Sequence, residues 1–299
     1  MTTATAPGDA RPQNVRPADA RRGVALALAA VLAFTVMDSL LKRLTQDFPV
    51  MEVFLFRWTF ALPPILWLVW RDGGWGGLRT RRMKLHGLRS VLSTLALGGF
   101  IYAFGHMQLA DVVAISFAAP LMMTAMSVPL LGEKVDGVRW AAVIVGFAGV
   151  LVIARPGSSL FGLNALIALA ATTVYAIGII IVRKLGSTES TAARSFYQAV
   201  SSVLTGLLFI PFGFIWPTPY QWVLLALLGT IGGTANMLVT AAYRCAPVAT
   251  VAPLDYTLLI GTTAIGYFVF GEMPDVWVFA GAAIVTASGI FIIRAATRR

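Results

Sequence analysis

Ten stretches of roughly 20 mostly apolar residues, joined by segments mostly shorter than ten residues, restrict this chain more than any other feature. They cover 24–44, 50–70, 85–105, 110–131, 138–154, 161–183, 192–215, 219–243, 247–270 and 276–294. A helix needs about 20 apolar residues to cross the hydrocarbon of a bilayer. The runs are too long for strands and lack period-two alternation, and the joints leave no room for a separate soluble domain. The predicted fold class is therefore an all-α polytopic membrane protein with ten transmembrane helices. Composition agrees, with 58% hydrophobic and 12% charged residues, against about 25% charged in a soluble domain. The first run outlasts the 7–15 apolar residues of a signal peptide and reads as an uncleaved first span. Residues 1–22, rich in Ala, Pro and Arg, are expected to be a disordered cytoplasmic tail.

The net charge of +10 is distributed unevenly. With the N-terminus inside, 19 of the 23 Lys and Arg residues fall on the inner side; Lys42, Arg43 and Arg155 fall outside, and Arg57 lies within a span. Cytoplasmic joints carry such an excess, so both termini are predicted to be cytoplasmic. The basic balance marks topology and not nucleic-acid binding. The single cysteine, Cys245, excludes an internal disulfide framework.

The second half echoes the first. Leu130-Leu131-Gly132-Glu133-x-x-Asp136 matches Val269-Phe270-Gly271-Glu272-x-x-Asp275 at an offset of 139, and Leu40-Leu41-Lys42-Arg43-Leu44 matches Ile181-Val182-Arg183-Lys184-Leu185 at 141. Residues 23–154 and 155–299 are thus read as two five-span repeats. Five is odd, so the halves insert with opposite topology, an arrangement transporters use to place a site between inverted halves near the midplane. In each turn, Gly ends one helix and Glu133 or Glu272 is expected to bond free amides at the start of the next.

These paired Gly-Glu turns resemble the EamA family of the drug/metabolite transporter superfamily. So do Met37-Asp38-Ser39-Leu40-Leu41-Lys42, Glu52-Val53-Phe54-Leu55-Phe56-Arg57, Ala114-Ile115-Ser116-Phe117-Ala118-Ala119-Pro120 and Val251-Ala252-Pro253-Leu254-Asp255-Tyr256. The strings are similar to a bacterial branch with riboflavin and S-adenosylmethionine transporters, and to YddG-type amino-acid exporters. The resemblance implies a central cavity lined by spans 1, 3, 4, 6, 8 and 9, in a multi-pass protein of the bacterial inner (plasma) membrane. It implies a secondary transporter exporting neutral or aromatic amino acids by alternating access, or alternatively an importer of a flat metabolite such as riboflavin or S-adenosylmethionine. Where the exporters carry tryptophans in spans 6 and 1, this chain carries Tyr175 and Phe34.

A charge at mid-bilayer costs about 2.5–3.5 kcal/mol, so each needs a partner, a cavity or a function. Asp38, Arg57 and Asp255 are the three that ordinary helix ends do not explain. Asp38 and Lys42, four apart, share a helix face and are expected to pair; Arg57 is placed to reach Asp38 or Glu52. The functional alternative gives Asp38 or Asp255 a substrate ammonium or a coupling proton, and Arg57 a carboxylate. Pro253 breaks the backbone beside Asp255, which is tolerated where a helix lines a cavity. Phe34, Tyr102, Phe117, Tyr175, Tyr197, Tyr243 and Tyr256 are candidates to stack on a flat or cationic ligand. Asn236 and Gln198 are read as helix glue or ligand contacts. The substrate-binding set is Phe34, Asp38, Arg57, Tyr102, Phe117, Tyr175, Asn236, Asp255 and Tyr256. No HExxH, CxxC or P-loop motif is present, so no metal, cofactor or catalytic residue is predicted, and an intramembrane enzyme is a remote alternative. The expected partners are a small-molecule substrate and the lipid bilayer; a monomer suffices, with a dimer as an option.

Overall fold

The computed structural model describes residues 17–71, 73–78, 80, 83–132, 135–154, 162–185 and 190–297. Residues 1–16, Arg79, Arg81, Arg82, Glu133, Lys134, Arg155, Arg298 and Arg299 lie outside them, as do the side chains of Arg183 and Lys184. Thirteen α-helices are present among the described residues, and no strand. In chain order they are α1 (Pro17–Leu44), α2 (Val50–Thr59), α3 (Leu62–Arg71), α4 (Met83–His106), α5 (Leu109–Ser116), α6 (Ala119–Leu131) and α7 (Gly137–Ala154). There follow α8 (Leu163–Leu185), α9 (Thr191–Phe209), α10 (Pro219–Cys245), α11 (Val248–Val251), α12 (Leu258–Phe270) and α13 (Val276–Thr297).

Eight helical segments are long and apolar enough to cross a membrane: Arg21–Leu44, Val50–Arg71, Met83–His106, Leu109–Leu131, Gly137–Ala154, Leu163–Ile181, Ala192–Phe212 and Pro219–Cys245. They coincide with the first eight predicted runs to within a few residues. The ninth run differs, because a 3₁₀ turn over Ala252–Thr257 separates α11 from α12. Pro253 removes a backbone donor there, which an uninterrupted α-helix would need. The described apolar part of the tenth, Val276–Ile292, has fewer than 18 residues. The tail expected through residue 22 also ends early: α1 starts at Pro17, since proline suits the first helical position and the following alanines and arginines favour helix.

Four packed pairs organise the bundle: α1 against α10, α4 against α8, α7 against α13, and α2 against α9. Between α7 and α13, Gly149 and Gly281 let the backbones touch; a Cβ on Gly281 would lie 2.6 Å from the Gly149 carbonyl oxygen. Small residues allow such approaches in membrane bundles, where dispersion replaces the hydrophobic drive between helices. Gly132 and Gly271, the glycines of the repeated turns, end α6 and α12 in matching left-handed conformations, φ 69° and 67°. Trp70, Trp75 and Trp216 are well exposed, whereas Trp222 packs edge-on to Phe56 at 4.9 Å.

Gly281→Ala should destabilise the detergent-solubilised protein by about 1–3 kcal/mol through overpacking. Gly98→Ala, where an added Cβ meets open space, should be neutral or stabilising by up to about 1 kcal/mol. Thermal unfolding of the two variants side by side checks the assigned crossing.

Candidate functional site

On α1, Asp38 and Lys42 sit one turn apart, yet they do not pair. The Lys42 ammonium pairs with Glu272 Oε1 at 2.5 Å and donates to the Met107 carbonyl at 2.5 Å and the Phe104 carbonyl at 3.5 Å. A lysine has three donors, and these three acceptors account for all of them. Glu52 is likewise not the partner of Arg57: its Oε2 accepts from the Ile215 backbone N–H at 3.0 Å. The expectation that Glu272 bonds free amides holds, but on a different helix. Its Oε2 accepts from Leu109 N–H, the first residue of α5, at 2.8 Å.

Arg57 therefore keeps a guanidinium that no carboxylate pairs within 4 Å among the described residues. It lies within electrostatic range of the buried Asp38, donates through Nη2 to Met37 Sδ at 3.4 Å, and lies 5.6 Å from the Trp58 ring. Its Nε is buried without a hydrogen-bond partner. Arg57 lines a cavity of about 440 Å³ between α2, α3, α4, α9 and α10. Arg71, Arg89 and Arg244 line it too, with Gln198 and Asn236, and no carboxylate among the described residues belongs to its wall. Arg71 ends α3, Arg89 lies about two turns into α4 and Arg244 stands in the last turn of α10, so three of the four guanidiniums gather toward one end of the bundle while Arg57 lies deeper. Arg89 is fixed by a 2.7 Å bond to the Arg194 carbonyl. The volume falls within the roughly 300–1,000 Å³ of small-molecule sites.

A second polar group lies on the same face of α10. Asn236, Thr240 and Tyr243 recur at spacings of four and three, which align on a helix. Tyr243 Oη is 3.5 Å from Asp255 Oδ2, in the 3₁₀ turn that breaks the ninth run. Tyr175, halfway along α8, lies within electrostatic range of both. It remains 47% exposed while its ring stands edge-on to Phe100 at 6.5 Å. Tyr175 thus stands part-exposed beside α4, within electrostatic range of the broken span.

The predicted residues thus divide. Arg57 and Asn236 line the cavity, with Asp38 beside Arg57. Asp255 and Tyr175 form the second group. Phe117 and Tyr256 pack on each other edge-to-face at 4.9 Å; Phe117 is buried, and the Tyr256 hydroxyl is enclosed, without a hydrogen-bond partner, against Gly289. They buttress the broken span. Phe34 packs on the core. Tyr102 is remote: its hydroxyl donates to Asn164 Oδ1 at 3.2 Å and its ring stacks on His106 at 4.1 Å, near the other end of α4. Gln198 lines the cavity, and its Nε2 donates to Ser202 Oγ at 3.0 Å, a bond within α9 and not between helices. Tyr243, a candidate stacking aromatic outside the substrate-binding set, joins it through Asp255 and its seven-residue spacing from Asn236.

Comparison with known proteins places this architecture. The EamA-like transporter family model matches residues 21–155 and again residues 162–294. The S-adenosylmethionine uptake transporter of Rickettsia prowazekii is 27% identical over 91% of this chain and 92% of its own. The riboflavin transporter of Vibrio cholerae is 28% identical over 93% and 95%, and the pseudopaline exporter CntI of Pseudomonas aeruginosa 25% identical over 92% and 96%. A solved crystal structure with 17% sequence identity superimposes with a TM-score of 0.63, covering 93% of this chain and 98% of that one. The chain belongs to the EamA-like transporter family, and is a multi-pass membrane transporter and not an enzyme.

Proposed function

We propose that this transporter carries an elongated organic metabolite with a carboxylate at one end and a flat cationic or hydrogen-bonding group at the other. The single observation behind this reading is the arginine-lined cavity, with no carboxylate in its wall among the described residues, that shares one face of α10 with the Tyr175–Tyr243–Asp255 group. Arg57, on the cavity wall, offers its guanidinium to the substrate carboxylate, and Asn236 supplies an uncharged polar contact. From Asn236 to Tyr243 is seven residues, about 10 Å of helix rise. A free amino acid, whose ammonium and carboxylate share one carbon, fills only one end of that span. The geometry therefore favours the larger flat metabolite over the neutral or aromatic amino acid. Two of the relatives, named for S-adenosylmethionine uptake and pseudopaline export, support a carboxylate-bearing substrate, and together they span both transport directions.

Ten spans in two inverted halves provide the motion. Several features support that reading. The family matches the chain twice, and the two repeated glycines cap their helices alike. Phe117 and Tyr256, 139 positions apart like the repeated turns, face each other across the pseudo-twofold. The packing of α1 on α10 is mirrored by that of α4 on α8, which is what exchange of the first and third spans between halves requires. With the termini in the cytoplasm of a bacterial inner membrane, Arg71, Arg89 and Arg244 ring the cytoplasmic mouth, and the cavity faces inward. One chain encloses the whole path.

Counterflow in liposomes holding only this protein tests the reading across Thr, Met, Phe, Trp, S-adenosylmethionine and riboflavin. S-adenosylmethionine is expected to exchange; exchange confined to Phe and Trp would return the protein to simple amino-acid export, and exchange of riboflavin alone would remove the carboxylate from the argument. Arg57→Gln should raise the half-saturating concentration of the exchanged acid about 10- to 100-fold, the loss of a charge-assisted hydrogen bond of about 1.5–3 kcal/mol. Asp255→Asn should weaken a cationic substrate by a similar factor and leave a neutral one unchanged, as concentration-dependent counterflow will show.

A further inference from the structure

We infer that Lys42 and Glu272 form a breakable latch that holds the end of the bundle opposite the arginines shut, and that its opening is an obligatory step of transport. The inference rests on the alternating-access reading but not on the identity of the substrate.

The latch lies far from the cavity's basic rim. On α4, 18 residues separate Arg89 in the cavity wall from Met107 at the latch, about 27 Å of helix. On α1, a Cβ on Gly23 would touch Ala246, just past Arg244, whereas Lys42 is 19 residues further on, about 28 Å away. The latch also joins the two regions that the family matches separately. Lys42, Phe104, Met107 and Leu109 belong to the first and Glu272 to the second. One carboxylate thereby ties the ends of α1, α4 and α12 and the start of α5. Its Oε1 holds the lysine at 2.5 Å and its Oε2 holds the Leu109 amide at 2.8 Å. Negative charge also suits that helix start, where N–H groups lack intrahelical partners. Phe270 closes the cluster from the side, its ring centre 5.6 Å from the ammonium. At the same end Gln221 Nε2 donates to Asp47 Oδ2 at 3.1 Å, a second polar tie between the regions.

The chemistry of the joint explains why it is ionic. Only 9% of the Lys42 side chain and 15% of the Glu272 side chain are exposed. Desolvating two charges offsets much of their attraction, and apolar side chains of similar size often hold a permanent joint at least as well. A joint that must part into water is different. When it opens, each ion recovers its hydration and the Leu109 amide and Met107 carbonyl meet water, whereas parted apolar faces would resist exposure. Charges at this position thus cost little when closed and lower the cost of opening.

Cys245 is the chain's only cysteine, so Cys245→Ala provides a clean background for thiol chemistry. Thr35, 4% exposed and packed on Gly261 of α12, lies two turns inside the latch on α1. A Thr35→Cys probe should react slowly with a membrane-impermeant maleimide applied from the Lys42 side. Adding Lys42→Gln or Glu272→Gln should accelerate labelling about tenfold or more, since removing one partner of a buried pair shifts a two-state equilibrium at least that far. Glu272→Gln retains an acceptor for the Leu109 amide, so the local fold is kept while the charge is lost. Unchanged labelling in both variants overturns the latch. In a second arm, Lys42→Cys/Glu272→Cys is bridged with a short bifunctional thiosulfonate. Counterflow should fall to background and return on reduction; bridged protein that transports at the unbridged rate overturns the obligatory opening. The labelling arm needs no substrate, so it separates failure of the latch from failure of the substrate assignment.

Discussion

Ionised groups inside hydrocarbon must be paired, hydrogen-bonded or wetted, and this chain uses a different answer at each intramembrane charge. Lys42 is fully engaged by a carboxylate and two carbonyls. Arg57 has no such closure: a thioether, an indole face and a nearby buried carboxylate surround it, and one of its N–H groups is enclosed without a partner. Arg57 also lines a cavity whose wall holds no carboxylate among the described residues. Asp255 stands on a 3₁₀ turn that a proline imposes, with a tyrosine hydroxyl 3.5 Å away. A saturated cation at one end and unsaturated polar groups along the cavity divide the bundle into a closed joint and a receptive interior.

That division gives a mechanical account. α10 carries the cavity's polar face and packs along α1, whose far end carries the lysine of the joint. α4 likewise contributes Arg89 to the cavity and Met107 and Phe104 to the joint. α4 thus reaches both ends directly, and α1 is tied to the cavity through α10.

Much of this was legible in the sequence because hydrocarbon thickness leaves few ways to read a 20-residue apolar run. The first eight spans, the helix-ending glycines and the break at Pro253 all follow from local rules. The polar pairings did not, since they are long-range. The four-residue spacing of Asp38 and Lys42 points to a local pair, but the lysine is bound by Glu272, 230 positions away; no local periodicity encodes that choice. Tyr102 reads as a cavity aromatic by type, yet its position near the end of α4 removes it to Asn164 and His106. Tyr243 was a candidate by residue type, and its alignment with Asn236 on α10 adds a positional reason. Phe117 and Tyr256 read as cavity aromatics by type, yet they pack on each other edge-to-face, with Phe117 buried.

The central claim is that the two ends of the bundle open in alternation. Pulsed electron resonance between spin labels on cysteine-substituted protein tests it directly, with one pair across the latch end at the exposed Gln46 and Met273, and another across the basic end at the exposed Met83 and Thr250. The account predicts that an exchanging substrate redistributes both distances in opposite senses, the latch-end pair lengthening in the population in which the other shortens. Distances that change together, or that stay fixed while the labelled protein is transporting, would contradict it.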